Sequence, residues 1–524
     1  MTRSSSVDVL IIGAGPTGLM LACQLALYPK VSFRIIDKNA SATTQSRALV
    51  VHARSLELFA QLNLAEKALS QGTLADGVKA FFQGHCRFQL DLKHFRVQQR
   101  SLLTHYPYIL FLEQSVTEHL LESFLNEHHI QVERNTEATD LIDFESTDGT
   151  SGVQVTLTNG EIIRTKYVCA CDGARSVVRH KLNLSFEGRT YPESLFVADC
   201  QVQNSPLAKN EFAVFFESTG LAAIFPLTNG RCRLIGTIHD EEQNNVSVDF
   251  NEVINLVKTR TRHFDVNAND CHWISVYHSH HRHITDFRYH QRYFLLGDAA
   301  HIHSPVGGQG MNTGLQDAHN LAWKLAYVLS YSANDRLLDT YHDERSQVAR
   351  TLVTTTDRAF SFFSNLHWFT RSIRLYVIPY LLGFLVQPLI NSSSYLGRMF
   401  FRRISQIGIT YRSPNIYDYG ASAGSFHRHT PLPGDRFPYT IFDPTHYHLI
   451  VFENPPSTKI NLFVEFIKQH YPDIIQIHQS HEENYPFQFE GAILIRPDGY
   501  IAYRTTIFDL EHFHHYMAQF YPTQ

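Results

Sequence analysis

The sequence predicts an α/β protein with three parts: a Rossmann-like dinucleotide-binding domain, an antiparallel β-sheet inserted into it, and a smaller α/β unit towards the C-terminus. Three observations predict this fold class. A strand, a glycine-rich turn and a helix open the chain, strand-forming residues dominate 190–290, and strands alternate with helices in 426–524. We place the dinucleotide-binding domain at 1–365, with the inserted sheet at about 75–105 and 185–290, and a helical segment with a linker at 366–425.

The composition is typical of a globular protein that does not bind nucleic acid. Of the 524 residues, 44% are hydrophobic and 18% are charged, and the formal net charge is −5. Basic residues form no tract, which argues against a nucleic-acid partner. The chain begins close to its first strand and lacks the small-residue cleavage site of a signal peptide, so we expect a cytoplasmic location.

The cysteines and histidines form neither a disulfide framework nor a metal-site pattern. Seven cysteines are scattered without a CxxC pair, which favours a reducing compartment. Four histidines cluster in a predicted strand, where they would alternate between two faces and could not converge on one ion. We therefore expect no metal site. The four are His278, His280, His281 and His283.

The first motif is a complete βαβ dinucleotide fingerprint. An apolar strand at 7–12 leads into Gly13-x-Gly15-x-x-Gly18, a helix follows, and a second strand at 31–36 ends before Asp37. The first glycine permits the tight turn, the second lets the backbone approach a pyrophosphate, and the third lets the helix pack closely. Asp37 can accept hydrogen bonds from a ribose. The fingerprint predicts dinucleotide binding but does not separate FAD from NAD.

The second motif lies between Gly297 and Lys324. A strand ends before Asp298, a loop with Pro305 and several glycines follows, and a helix is predicted from about Met311. The carboxyl ends of parallel strands are where α/β proteins bind ligands. The free N–H groups and partial positive charge of the helix N-terminus suit a ligand that becomes anionic during catalysis.

One apolar run, 375–386, carries no charge. It is too short for a transmembrane helix, which needs about 20 residues, and it contains Pro379. We predict a buried helix pair and no transmembrane segment. The alternative is contact with a membrane surface.

Three motifs in this order, Gly13-x-Gly15-x-x-Gly18, Asp172-Gly173 and Gly297-Asp298, resemble those of the single-component aromatic hydroxylases. These are the flavin monooxygenases related to p-hydroxybenzoate hydroxylase and phenol hydroxylase. The resemblance extends over nearly the whole chain. Segment 494–504, LIRPDGYIAYR, is similar to the ending of the subgroup that carries a C-terminal thioredoxin-like domain. The resemblance therefore implies a Rossmann-like FAD-binding domain, an inserted substrate-binding sheet and a thioredoxin-like domain without redox cysteines.

The resemblance also implies roles for individual residues. Arg47, which could equally be a solvated loop arginine, and Gln114 match positions that contact FAD. Asp172 and Arg175 lie in a motif linked to FAD and NAD(P)H, and Asp298 would bind the ribityl or pyrophosphate side. The implied cofactor-binding residues are Gly13, Gly15, Pro16, Thr17, Gly18, Asp37, Lys38, Arg47, Gln114, Asp172, Arg175, Asp298, Gly308, Gly310, Met311 and Asn312. The implied catalytic residues, which would line the reactive edge and the pyrimidine end of the flavin, are Pro305, Met311 and Asn312.

The chemistry that the resemblance implies is monooxygenation of a phenolic or polycyclic aromatic compound. NADPH or NADH would reduce FAD, and molecular oxygen would form a flavin C4a-hydroperoxide that the substrate attacks. Epoxidation and Baeyer–Villiger oxidation remain open, as does a non-catalytic FAD-binding module. A flavin disulfide oxidoreductase is disfavoured because Cys23 stands alone in the first helix. A homodimer is expected because relatives often dimerise, and no catalytic base is assigned.

Overall fold

The computed structural model describes residues 4–43, 48–93, 104–145, 149, 151–203, 207–238, 250–261, 265–365, 367–392, 394–412, 421–426, 430–438, 443–452, 458–480 and 490–521. Within these ranges the chain forms four β-sheets and fourteen α-helices, which confirms the mixed α/β class. Arg47 lies outside the described residues, and so do parts of the expected linker, 413–420.

The first sheet brings the three sequence motifs to one edge. Its central strands run in the order β17-β10-β1-β2 and are parallel, and the neighbouring strands are antiparallel. Ile12, at the end of β1, pairs with Ala170, which pairs with Leu295 on the other side. The turns that follow these residues therefore lie side by side. The strands, numbered in chain order, are β1 (Ser4–Ile12), β2 (Phe33–Ile36), β8 (Ala138–Glu145), β9 (Ser151–Leu157), β10 (Ile162–Ala170), β16 (Arg288–Tyr289) and β17 (Tyr293–Leu295).

The second sheet is the expected insertion. Seven of its eight strands come from the two predicted segments, and β18 lies beyond them, in the order β18-β15-β11-β14-β13-β12-β5-β6. All neighbours are antiparallel except β12 and β5. The strands are β5 (Gly77–Phe82), β6 (His85–Asp91), β11 (Glu187–Gln203), β12 (Glu211–Glu217), β13 (Gly220–Pro226), β14 (Arg231–Ile238), β15 (Asp265–His283) and β18 (His301–Ile302).

Most helices pack against these two sheets. A three-stranded sheet, β3-β7-β4, lies beside them and is formed by β3 (Val50–His52), β4 (Thr73–Leu74) and β7 (Ile109–Phe111). The helices up to residue 364 are α1 (Pro16–Leu25), α2 (Ala53–Gln61), α3 (Ala65–Gln71), α4 (Gln114–Glu127), α5 (Val177–Lys181), α6 (Phe250–Thr261), α7 (Gly310–Ser330) and α8 (Arg336–Ser364).

The helix predicted from about Met311 ends at Ser330, where the chain turns and Ser332 adopts a φ of 55°, and α8 follows. Helix α6 falls within 190–290, where strand-forming residues dominate the sequence. Val253 and Val257, one turn apart, are buried against the second sheet, so tertiary packing selects the helix there.

The C-terminal unit has the predicted order of strand, helix, strand, hairpin and helix. β20 pairs parallel with β21 and antiparallel with β22. Its assignment as thioredoxin-like stays a prediction. Arg496 of this unit donates to Glu344 of α8 at 3.0 Å, which ties the unit to helix α8 through a buried ion pair. Its elements are β19 (Ser422–Ala423), β20 (Tyr447–Phe452), α13 (Thr458–His470), β21 (Ile475–Ser480), β22 (Gly491–Ile495), β23 (Ile501–Thr505) and α14 (Leu510–Ala518).

The prediction of a buried helix pair at 375–386 is wrong. This run belongs to a chain of short helical pieces that packs on the second sheet with one side and is exposed on the other. Leu375 is buried, whereas the side chain of Phe384 is 74% exposed. The pieces are α9 (Trp368–Ser372), a π-helical turn (Ile373–Val377), α10 (Ile378–Leu381), a second π-helical turn (Leu382–Val386), α11 (Gln387–Ser392) and α12 (Ser394–Ile404).

Candidate cofactor site

The glycine-rich turn after β1 has one crowded side and one open side. Gly13 has a φ of +104°, and a Cβ there would lie 2.3 Å from the carbonyl oxygen of Cys171. A Cβ on Gly18 would lie 1.9 Å from the carbonyl oxygen of Gly13. A Cβ on Gly15 would meet nothing within 4 Å. The turn therefore packs tightly on the protein side and leaves a clear approach to its backbone at Gly15.

Helix α1 presents an uncapped N-terminus at this opening. Gly15 is its N-cap residue, Pro16 follows at the first helical position, and no side chain caps the free N–H groups. The side chain of Thr17 packs between two other glycines: a Cβ on Gly297 or Gly314 would lie 2.6 or 2.3 Å from Thr17 Oγ1. Thr17 thus joins the start of α1 to the second motif. Free helical N–H groups bind anions such as pyrophosphate.

Asp37 lies at the end of β2, beside the same turn. Its Oδ2 accepts from the backbone N–H of Ala14 at 2.7 Å, and its Oδ1 accepts from the N–H of Asn39 at 2.7 Å. The carboxylate is buried and holds the turn to β2, while Lys38 is exposed. Its remaining lone pairs are available to a ribose, and that contact stays a prediction.

Gln114 and Asp172 each accept a hydrogen bond from the backbone of a neighbouring segment. Gln114 Oε1 accepts from the N–H of Ala48 at 3.3 Å, so it holds the chain next to Arg47. Asp172 Oδ2 accepts from the N–H of Val178 at 3.1 Å, at the start of α5. Burial raises the pKa of Asp172, and its Oδ1 is buried without a hydrogen-bond partner. Arg175 is exposed, and its proposed cofactor contact stays a prediction.

The second motif is held by a buried carboxylate that sequence reasoning missed. Asp317 on α7 accepts from the N–H of Gly297 at 3.0 Å, from His301 Nε2 at 2.7 Å and from Arg345 Nε at 2.6 Å. Burial alone would raise the pKa of Asp317, but Arg345 and His301 lower it below its ordinary value. Asp298, next to Gly297, has an exposed side chain on a single 3₁₀ turn.

The glycine loop before α7 is tied to β3 by Asn312. The Asn312 side chain donates to the carbonyl oxygens of Val50 and Gly308 at 2.7 and 2.8 Å, and it accepts from the N–H of His52 at 2.9 Å. His52 Nε2 also lies 2.9 Å from the carbonyl oxygen of Gly307. The side chain of Asn312 is therefore structural, and only its backbone is left for a cofactor.

Helix α7 begins at Gly310, one residue earlier than predicted, and also lacks a side-chain cap. Met311 and Pro305 are half-buried at this end of the helix. A Cβ on Gly310 would lie 3.4 Å from His303 Nε2, a buried nitrogen without a hydrogen-bond partner. The loop therefore combines a second set of free helical N–H groups with close backbone access, as the pyrimidine end of a flavin requires.

A second group, also missed by sequence reasoning, lies where the loop before α7 meets the eight-stranded sheet. The Tyr191 hydroxyl on β11 donates to Asp357 Oδ1 on α8 at 2.8 Å, and His281 Nδ1 lies 3.3 Å from the same oxygen. The Tyr191 ring packs among apolar residues that include Val306 of the loop. Burial and Asp357 both raise the pKa of Tyr191 above its ordinary value.

Among the residues that the structure describes, no group of histidines, cysteines or acids could hold a metal ion. The arrangement instead fits a dinucleotide. Two uncapped helix N-termini, an open glycine backbone and an orphaned oxygen of Asp172 lie around the end of one parallel sheet.

Comparison with known proteins identifies the dinucleotide. Residues 6–356 match the family model described as FAD binding domain. The chain belongs to this FAD-binding family. It is 34% identical over 358 residues to the rifampicin monooxygenase of Streptomyces venezuelae, covering 67% of this chain and 70% of that protein. It is 32% identical over 361 residues to the pentachlorophenol 4-monooxygenase of Sphingobium chlorophenolicum, covering 68% and 64%.

Solved structures extend the likeness to the whole chain. The anhydrotetracycline hydroxylase OxyS of Streptomyces rimosus superposes with a TM-score of 0.75 at 25% identity, covering 99% of this chain and 100% of that one. The flavin-dependent monooxygenase PieE, in complex with FAD and substrate, shares the fold with a TM-score of 0.78 at 20% identity, covering 98% of each chain. The predicted family is confirmed: the protein is an FAD-dependent monooxygenase of the aromatic-hydroxylase kind.

Proposed function

We propose that this monooxygenase uses NADPH or NADH to hydroxylate a phenolic or polycyclic aromatic compound bound between the glycine loop and the eight-stranded sheet. The observation that carries the proposal is the Tyr191–Asp357 pair beside Val306, on the side of the loop that faces the sheet. A largely apolar wall with a tyrosine hydroxyl held by a carboxylate suits an aromatic ring that carries a hydroxyl group. Rifampicin, pentachlorophenol and anhydrotetracycline appear in the names of relatives and are consistent with this class.

The chain's own residues have three tasks in this reaction. The N–H groups at the start of α7 stabilise negative charge on the flavin ring. Asp357 holds the Tyr191 hydroxyl in place, where it can orient a phenol oxygen. The sheet excludes water from the reacting atoms. FAD, when bound, supplies the redox chemistry, which is hydride acceptance from the nicotinamide and activation of oxygen at C4a.

The experiment is a screen of phenols, quinones and polycyclic aromatics for stimulated NADPH or NADH oxidation by the purified protein. Product mass spectrometry under isotopically labelled O₂ must show incorporation of one labelled oxygen atom, and a hydrogen peroxide assay measures uncoupled oxidation. A product with an oxygen atom inserted into the ring would indicate Baeyer–Villiger oxidation instead of hydroxylation. An epoxide product would indicate epoxidation. FAD-loaded protein that oxidises NAD(P)H with none of these compounds, and yields only peroxide, would contradict the proposed substrate class.

We also propose a cytoplasmic location. All seven cysteines lack a disulfide partner in the structure, which suits a reducing compartment. The homodimer stays a prediction.

A further inference from the structure

The strongest feature outside the cofactor site is an exposed apolar surface formed by residues 368–390 and 396–403, which we call the apolar platform. The family match ends at residue 356, before the platform begins. Large side chains are at least half exposed along it, and Phe384 is 74% exposed. Six of these large exposed side chains are Trp368, Tyr376, Tyr380, Phe384, Leu385 and Met399. Exposed apolar patches of this kind mark interaction surfaces.

The platform lies flat on the protein. Leu375 packs with Phe82 and Phe216 of the second sheet, and Ile390 packs with Leu90. The backbone N–H of Gln89 donates to Gln387 Oε1 at 3.1 Å. One side of the platform is therefore fixed to β5, β6 and β12, and the other side has no contact with the rest of the described chain that would bury it.

This packing argues against a membrane-spanning role. Among the described residues, one segment, the 23 residues Trp368–Ile390, is long and apolar enough to cross a membrane. If this segment crossed a membrane, Leu375 and Ile390 would lose their contacts with the second sheet. Pro379 and two π-helical turns also break the regular helix. A segment that packs on the protein with one face and exposes an apolar second face is suited to lie in the plane of a membrane surface.

The charge of this region selects the partner. Residues 358–417 contain seven arginines and neither aspartate nor glutamate, although the whole chain has a formal charge of −5. Arg371, Arg402 and Arg403 are exposed, and the guanidinium of Arg87 lies 5.6 Å from the centre of the Tyr380 ring. Arginines around an apolar surface complement anionic lipid headgroups.

We propose that the apolar platform docks the enzyme on an anionic lipid bilayer. The apolar side chains enter the boundary between headgroups and acyl chains, Trp368 and the tyrosines lie at headgroup level, and the arginines contact lipid phosphates. A second copy of this chain fits the surface less well. A two-fold contact would place the same positively charged patch against itself.

The platform also adjoins a small apolar crevice. Phe400 and Ile404 line the crevice together with Leu92 and Ile109. The latter two pack in a cluster with Val50, which a Cβ on Gly308 would approach at 2.7 Å. On this side of the protein, an apolar aromatic substrate would enter from the bilayer. This uptake rests on the proposed function, whereas docking on the bilayer does not.

The test is co-sedimentation of the FAD-loaded, full-length protein with vesicles, without substrate. Vesicles of phosphatidylcholine mixed with phosphatidylglycerol should bind the protein more tightly than phosphatidylcholine alone, and salt should weaken this binding. The Phe384→Ser/Leu385→Ser variant should lose at least about tenfold in the partition coefficient. Arg402→Glu/Arg403→Glu should lose roughly tenfold on anionic vesicles only.

The matched control is Leu462→Ser/Ile507→Ser, which removes two side chains of similar exposure outside the platform, 59% and 50% exposed. It should bind vesicles like the wild type. FAD content and NAD(P)H oxidation in solution are measured for every variant, so a failed monooxygenase assay is distinguished from failed docking. Wild-type protein that does not bind anionic vesicles overturns the proposal. So does a dimer in sedimentation velocity that Phe384→Ser/Leu385→Ser converts to monomer, because the platform would then be an interface between copies.

Discussion

The carboxylate of Asp317, in the middle of the buried helix α7, accepts a hydrogen bond from the backbone N–H of Gly297 at 3.0 Å. Gly297 is the first residue of the second motif. The same carboxylate pairs with Arg345, and both side chains are fully buried. A residue without a predicted role thus holds the turn that presents Asp298. The backbone at the start of the second motif therefore depends on an ion pair that lies behind it, and the cofactor contact of Asp298 stays a prediction.

Asp317→Asn tests this dependence. Removing one partner of a buried ion pair leaves the other charge uncompensated, so we expect the free energy of unfolding to fall by about 3–5 kcal/mol. FAD retention should fall with it because the amide leaves one acceptor oxygen for the three donors Gly297 N–H, His301 Nε2 and Arg345 Nε. The measurements are urea unfolding and the FAD-to-protein absorbance ratio after gel filtration. Glu465→Gln, in the exposed pair with Lys468, is the control and should cost less than about 1 kcal/mol. Equal small effects in both variants would refute the anchoring role.

Gly15→Ala should separate cofactor binding from folding. Gly15 has a φ of −77° and a Cβ there meets nothing within 4 Å, so the apoprotein should keep its stability. The added methyl group would occupy the approach to the backbone, and FAD affinity should fall by roughly tenfold or more. Titration of apoprotein with FAD and urea unfolding give the two readings. Gly13→Ala provides the contrast, because its Cβ clashes with Cys171 and should impair both. Unchanged FAD affinity in Gly15→Ala would show that the pyrophosphate lies elsewhere.

Stability should fall as the pH drops below about 6.5. Burial lowers the pKa of His52 and His303 to about 4 and that of His319 to about 3. The unfolded chain therefore takes up protons first as the pH falls. The stability from these neutral side chains is complete above the unfolded pKa and is lost between about pH 6.5 and 4, at up to about 1.4 kcal/mol per pH unit for each histidine. Urea unfolding from pH 7 to pH 5 measures the slope, and His319→Gln should reduce it. A flat profile would contradict the burial of these rings.

Tyr191→Phe should lower turnover and leave FAD in place. The variant keeps the ring among its apolar neighbours but loses the hydroxyl that Asp357 orients. With a phenolic substrate we expect kcat/KM to fall roughly five- to tenfold, the value of one lost hydrogen bond. Tyr289→Phe, a half-buried tyrosine of the first sheet, should behave as wild type. A fall in FAD content instead of turnover would place Tyr191 in cofactor binding.

The glycine turn and the second motif could be predicted because their signals are local. Gly13 and Gly18 are required by backbone conformation and close packing, and both requirements are visible in a short stretch of sequence. The ends of β1 and β10, residues 9–12 and 167–170, have the continuous hydrophobic pattern of buried parallel strands. Their parallel pairing places the turns after them at one edge, so the motifs could be expected to meet.

Other parts of the site could not be predicted because their partners are distant in sequence. Tyr191 and Asp357 are 166 residues apart in the sequence. Taken separately, Tyr191 is an ordinary tyrosine in a strand and Asp357 is an ordinary acidic residue in a helix. Asp317 lies on the buried helix α7, close to the apolar residues Leu315 and Ala318. An acidic residue among buried apolar residues was the one sequence signal that could have indicated an ion pair. The platform was misjudged because composition gives the hydrophobicity of a segment but not which of its sides meets another element.

The sequence by itself determined the fold class, the FAD-binding family and the cofactor edge, because glycine conformation and strand patterning act over a few residues. Only the tertiary structure decided that Asp317 and Arg345 anchor Gly297, that Tyr191 meets Asp357 near the loop, and that Phe384 faces outward. Burial and ion pairing depend on which surfaces meet when distant segments pack, and no local pattern encodes that.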